Sequence, residues 1–167
     1  MSNVELFHDD RVLFAVDMPP SINALMQQAV AAYDDTQRAE SLLWQAQKLG
    51  PEQLAIYVAL YKFYFYKNFL RQAENVVHMA LSQAAELGGF ESDWRQLTPA
   101  STDWSVGDSP QRYYLYSLKA LAFIRLRLDD AEMGTAILHH LAELDPEDQV
   151  GSSVLLDLAV ALVEDES

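Results

Sequence analysis

Cysteine is absent from the 167 residues. Its absence excludes a disulfide framework, a thiolate nucleophile and any cysteine–zinc site, and it fits a reducing cytoplasm. Glycine and proline are sparse, with six of each, which favours helices over the many tight turns of an all-β chain. Cations are also scarce. Eleven Lys and Arg face 25 Asp and Glu, for a formal net charge of −14. An acidic surface of this kind repels phosphate backbones and anionic membranes, so neither nucleic acid nor a membrane is expected as a partner. Every long apolar run is broken by a charged residue before the roughly 18 residues that a transmembrane helix needs. The N-terminal stretch MSNVELFHDD has no basic region and no apolar core, so no secretory signal is expected.

Catalytic signatures are missing as well. There is no H-E-x-x-H, no glycine-rich phosphate loop and no G-x-S-x-G. His139 and His140 are adjacent and so point about 100° apart on a helix, poor geometry for joint ligation. The carboxylates collect at turns, as in Asp9-Asp10, Asp34-Asp35 and Asp129-Asp130, where capping explains them. The chain is expected to be no enzyme and to hold no metal or cofactor.

A recurring pattern is present. Ala39, Leu43, Ala46 and Pro51 share their spacing with Ala73, Val77, Ala80 and Ala85, and with Gly134, Leu138, Leu141 and Pro146. The offsets in each set are 0, 4, 7 and 12, the first two sets lie 34 residues apart, and the second and third 61 apart. Residues at 0, 4 and 7 share one helical face, and small side chains there let a second helix approach closely. Proline at 12 falls where the helix has ended. Small, large apolar, small and then proline on a 34-residue period resembles the second-helix half of a tetratricopeptide repeat. The first-helix signature is eroded. Asn23, Met26, Gln27 and Val30, then Tyr57, Leu60, Tyr61 and Tyr64, then Leu118, Leu121, Ala122 and Arg125 stand at its positions. The resemblance covers residues 20–87 and 115–148, and the extra spacing in the second interval marks an insert.

The expected fold is therefore all-α: a tetratricopeptide-like solenoid of three helix pairs with a C-terminal capping helix. Residues 1–20 read as an arm in which RVLFAV would tolerate a strand. Residues 21–164 form one domain with an insert at 88–110, and 165–167 end an acidic, solvated tail. Helices are predicted over Ser21–Tyr33, Gln37–Leu49, Glu52–Lys67, Leu70–Leu87, Gln111–Arg127, Asp130–Leu144 and Val150–Val163. Gly50-Pro51 is expected to end the second with a C′ glycine. The third, with LAIYVALYKFYFY apolar nearly all round, is expected to be buried on several sides. The last is expected to face inward with Val154, Leu155, Leu158 and Leu162.

In the tetratricopeptide family first helices line a concave groove. The resemblance implies that Lys62, Phe65 and Tyr66 of the second repeat, and Tyr116, Lys119, Phe123 and Arg127 of the third, contact a client. The carboxylate-gripping clamp of some members is absent, since Ala24, Gln28, Ala59, Tyr116 and Ala120 stand at its places. The insert carries Trp94 and Trp104, which an idle loop would not be expected to hold. At least one indole should dock near the third and fifth helices, as scaffold or as a lid. Size, charge and repeat number also resemble the bacterial type III secretion chaperones. Separately, ALYKFYFY, GGFESDWRQLTPASTDW and SLKALAFIRLRL resemble a small bacterial repeat family of nitrogen-fixation gene neighbourhoods, which would imply an accessory to metalloenzyme assembly. The expected function is an adaptor or chaperone that binds a protein or peptide segment. The alternative is a structural subunit that self-associates, for example as a homodimer.

Overall fold

The computed structural model describes residues 18–166, with side chains to residue 161. The expected arm lies outside these residues except at its last three, and so do the side chains of Leu162 and the acidic tail. Every regular element among the described residues is helical: α1 Pro20–Ala31, α2 Thr36–Leu49, α3 Leu54–Tyr66, α4 Leu70–Gly88, the short 3-10 helix Trp94–Gln96, α5 Pro110–Arg127, α6 Ala131–Leu144 and α7 Ser153–Glu166. The chain divides into two compact units, Met1–Val76 and Val77–Ser167. In the first, α1 packs on α2 and α2 on α3; in the second, α5 packs on α6, and α6 on both α7 and the 3-10 helix.

The helix starts follow local chemistry. Pro20 and Pro110 occupy first turns, where the missing N–H costs nothing. The side chains of Asp35, Ser109 and Asp130 accept hydrogen bonds from the backbone N–H of Arg38, Arg112 and Met133, at 3.2 Å each. The ends are as regular. After α3, α4 and α5 the chain passes through Asn68, Gly89 and Asp129 at φ of 65°, 73° and 62°. The next N–H then reaches back to Tyr64, Ala85 and Arg125 at 2.8, 3.0 and 2.9 Å, the six-to-one bond of a Schellman turn.

The three sets of spaced residues hold the same place in their helices. Thr36, Leu70 and Ala131, the first residues of α2, α4 and α6, each stand three positions before the leading small residue. Ala39, Ala73 and Gly134 donate their N–H to Asp35, Phe69 and Asp130 at 2.9, 3.0 and 3.0 Å. All nine residues at offsets 0, 4 and 7 are buried. The need for small size is explicit at Gly134. A Cβ there would lie 2.8 Å from Leu126 Cδ2 and 3.1 Å from the Ala122 carbonyl oxygen. The helix ends match too: Gly50 and Asp145 accept nearly the same conformation, φ −141°, ψ 71° and φ −126°, ψ 66°, before Pro51 and Pro146.

That conformation corrects the expectation for Gly50. Its φ is not left-handed, and Asp145 adopts the same turn with a side chain. A Cβ at 50 would stand 2.5 Å from Ile22 Cδ1 and 3.0 Å from Gln53 Cγ, so those side chains would have to shift to admit one. A second correction falls on α7. Val154 and Leu158 are 65% and 57% exposed, whereas Ala159 is fully buried and Leu155 is half-buried. Apolar residues run round much of this helix, so periodicity left its inward face ambiguous, and the small Ala159 is buried instead. Helix α3 is buried as expected, with ten of its 13 residues enclosed.

Candidate functional site

Helix α3, which carries the expected client residues of the second repeat, is held by polar and aromatic contacts. Tyr64 donates to Glu40 Oε2 at 2.6 Å and accepts from Trp44 Nε1 at 2.9 Å. Burial, reinforced by the Glu40 hydrogen bond, pushes the Tyr64 hydroxyl up to about 12. Tyr57 donates to the Pro51 carbonyl at 2.6 Å. The Lys67 ammonium lies 4.2 Å from the Tyr33 ring centroid, an attractive cation–π contact. On the same helix Lys62, Phe65 and Tyr66 are half-buried. Lys62 Nζ stands 5.9 Å from the Tyr66 ring, and Phe65 meets Tyr66 edge-on at 5.6 Å.

On α5, Tyr116, Lys119, Phe123 and Arg127 follow one another at spacings of three and four, which brings them to one helical face. Phe123 and Arg127 are exposed, and Tyr116 is half-buried. Lys119 has a task within the fold. Its Nζ lies 5.9 Å from the Tyr116 ring and donates to the Val150 carbonyl at 2.8 Å. Partial burial lowers its pKa from the ordinary lysine value, against the opposing charge of Asp148. The receiving segment is itself folded by Asp145, whose carboxylate accepts from Gln149 N at 2.9 Å and Val150 N at 3.0 Å. Arg112 adds a hydrogen bond to Gln149 Oε1. Asp145 read in sequence as part of an inter-repeat turn; its neighbour Pro146 signalled the helix end, and nothing local signalled that its carboxylate organises the next five residues.

The insert is docked within the second unit. Trp104 is buried, donates to the Thr98 carbonyl at 3.0 Å, and packs on Phe90 and Tyr114 with centroids 5.1 and 6.0 Å away. Phe90 lies against Gly88, where a Cβ would come within 2.4 Å of its ring. Tyr114 of α5 donates to the Ser92 carbonyl at 2.6 Å, and burial raises its pKa. Leu97 is 1% exposed and its carbonyl meets His140 Nε2 at 2.7 Å. Trp94 is half-buried and stands edge-on to the His140 ring at 5.4 Å. The two indoles therefore dock at different places, Trp104 on α5 and Trp94 on α6. Sequence reasoning missed His140, whose neighbour His139 drew attention to metal geometry instead. Among the described residues no group of three His, Asp or Glu is placed to hold a metal ion, and no helix is long and apolar enough to cross a membrane.

These observations define an all-α protein whose helical hairpins carry aromatic–basic faces and a docked aromatic insert. The chain belongs to the same family as the "uncharacterized 19.8 kDa protein in nifW 5'region" of Azotobacter chroococcum mcd 1. The two are 30% identical over 122 residues, which are 72% of this chain and 68% of that protein. The relative's place in a nif gene region fits the neighbourhood expected from the ALYKFYFY and SLKALAFIRLRL stretches. No family model matches the chain, and no solved structure matches it.

Proposed function

We propose that the chain is a divergent tetratricopeptide-like interaction module that holds a client protein segment, as an adaptor or chaperone in bacterial metalloenzyme assembly for nitrogen fixation. The observation that carries this is the shared register of α2, α4 and α6, each starting three residues before a buried small residue and keeping offsets 4 and 7 buried. Repetition of one supersecondary unit is how such arrays build binding surfaces. The nif-region relative supports the assembly setting. Client contacts fall to the α3 face of Lys62, Phe65 and Tyr66 and to the α5 face of Tyr116, Phe123 and Arg127.

The test is crosslinked capture of the tagged chain from nitrogen-fixing cells and from cells grown on ammonium. Lys62→Glu and Arg127→Glu are captured in parallel, each testing its own face. Lys119 is left intact because its reversal would also break the bond to Val150. A specific partner that is recovered with the natural chain and lost from either variant at unchanged melting temperature supports the proposal. Capture indifferent to both variants, or no partner in either growth state, refutes it.

A second proposal, a self-associating subunit, is favoured by the exposed Val154 and Leu158 on α7. Light scattering distinguishes it. A dimer that Val154→Glu with Leu158→Glu converts to monomer would establish self-association, and a monomeric natural chain would exclude it.

A further inference from the structure

One cleft of about 310 Å³ opens within the second unit, away from the α5 residues assigned to a client. Its floor is apolar: Leu121 and Ile137 are 3% and 1% exposed, and Met133 and the Trp94 ring form the walls. Its polar lining is cationic or neutral, from Arg95, Arg125 and His78. Two guanidiniums therefore stand beside one apolar pocket, each with a carboxylate neighbour, Asp93 for Arg95 and Asp130 for Arg125.

The insert builds the pocket. Its 3-10 helix supplies both Trp94 and Arg95, and His140 holds the indole edge-on. Arg95 lies over the Trp94 ring at 4.5 Å, which orients the guanidinium plane. It donates to Met133 Sδ at 3.6 Å and forms an ion pair with Asp93 Oδ1 at 3.7 Å. Arg125 Nη1 donates to Asp130 Oδ2 at 3.4 Å in an ion pair, so a ligand would share this guanidinium with Asp130.

The geometry points to a binding site for a carboxylate carried on a compact apolar body, with the carboxylate on Arg95 and Arg125 and the body on Leu121, Ile137 and Met133. A planar guanidinium matches a carboxylate through two parallel N–H bonds. Asp93 and Asp130 already offset the two arginines, so a ligand is held by shared N–H bonds and not by surplus charge, and the two charges of a phosphate monoester are matched less well than the one of a carboxylate. The volume stands at the small end of ligand pockets. The carboxylate could belong to a free organic acid or to an apolar C-terminal residue of a peptide. The site is independent of the proposed client faces, so it can stand or fall separately from them.

The probes are phenylpropionate and a short peptide ending in phenylalanine, each as the acid and as the amide, with inorganic phosphate as a third arm. They are titrated into the full chain and followed by methionine-methyl NMR, with Met133 assigned through Met133→Leu. A ligand this small is expected to bind at roughly 1 mM by its ligand efficiency. The acids should shift the Met133 methyl, and the amides and phosphate should not. Arg95→Gln, a substitution at a half-exposed side chain, should weaken acid binding about tenfold, the value of one charge-assisted bond. Tighter binding of the free acid assigns a small-molecule source, and tighter binding of the peptide acid assigns a protein C-terminus. No Met133 shift with either acid, equal binding of acid and amide, phosphate binding as tight as the acids, or affinity unchanged in Arg95→Gln would overturn the assignment.

Discussion

Replacing Asp145 tests how the last turn of the chain is held. The carboxylate accepts two backbone N–H groups, and the bond from Val150 is buried. The same segment receives Lys119 at the Val150 carbonyl, so it is anchored on both its donor and acceptor sides. In Asp145→Ala both N–H groups lose an ionised acceptor. A hydrogen bond to a charged group contributes about 1.5–3 kcal/mol, and a buried donor left unpaired carries its full desolvation cost. Water can reach Gln149, which is half-buried, but not Val150. The expected destabilisation is about 2–4 kcal/mol, below twice the single-bond value because one site rehydrates. For a chain of this size that lowers Tm by roughly 5–15 °C. Asp145→Asn keeps one acceptor oxygen and turns an amide N–H₂ toward the other donor, so it should fall between the natural chain and alanine. Urea unfolding followed by circular dichroism gives the free energies, and amide exchange at Val150 reports the local bond. An alanine variant within about 0.5 kcal/mol of the natural chain, the range of ordinary surface changes, would refute the assigned role. So would a Val150 amide that exchanges no faster.

The tyrosines set a limit at alkaline pH. Tyr64 and Tyr113 are pushed up to about 12, chiefly by burial, and Tyr114 is raised further. A raised folded-state pKa contributes stability below the ordinary tyrosine value of 10.0, and that stability is lost as pH rises toward and through the folded value. Urea midpoints should therefore fall above pH 10, and absorbance at tyrosinate wavelengths should show three of the eight tyrosines ionising well above pH 10 while the chain stays folded; eight ordinary titrations in a folded chain would contradict this. Gly134→Leu should cost about 1–3 kcal/mol through overpacking against Leu126 and the Ala122 carbonyl, exceeding the gain of about 1 kcal/mol in helix propensity; an unchanged urea midpoint would show that α5 and α6 can separate freely. Tyr114→Phe should cost about 1 kcal/mol by removing the bond to Ser92 and should red-shift Trp104 emission as the insert loosens. No change in either measurement would mean the insert is held by ring packing alone.

The sequence by itself determined the helices, because their signals are local. Prolines at Pro20 and Pro110, caps at Asp35 and Asp130, and apolar periodicity act within a few residues of one another, so they are legible without partners. The spacing of Ala39, Ala73 and Gly134 is also local, and it predicted the buried faces of α2, α4 and α6. Tertiary structure decided whatever depended on which surfaces meet. Gly50 packs close to Ile22, a contact between α1 and the end of α2. Lys119 bonds Val150 across 31 residues, and His140 holds Leu97 across 43; neither pairing leaves a trace in local composition. Helix α7 shows the limit most directly. Apolar residues on several of its sides allow more than one inward face, and only packing against α6 decided that Ala159 would be covered while Val154 and Leu158 stayed at the surface.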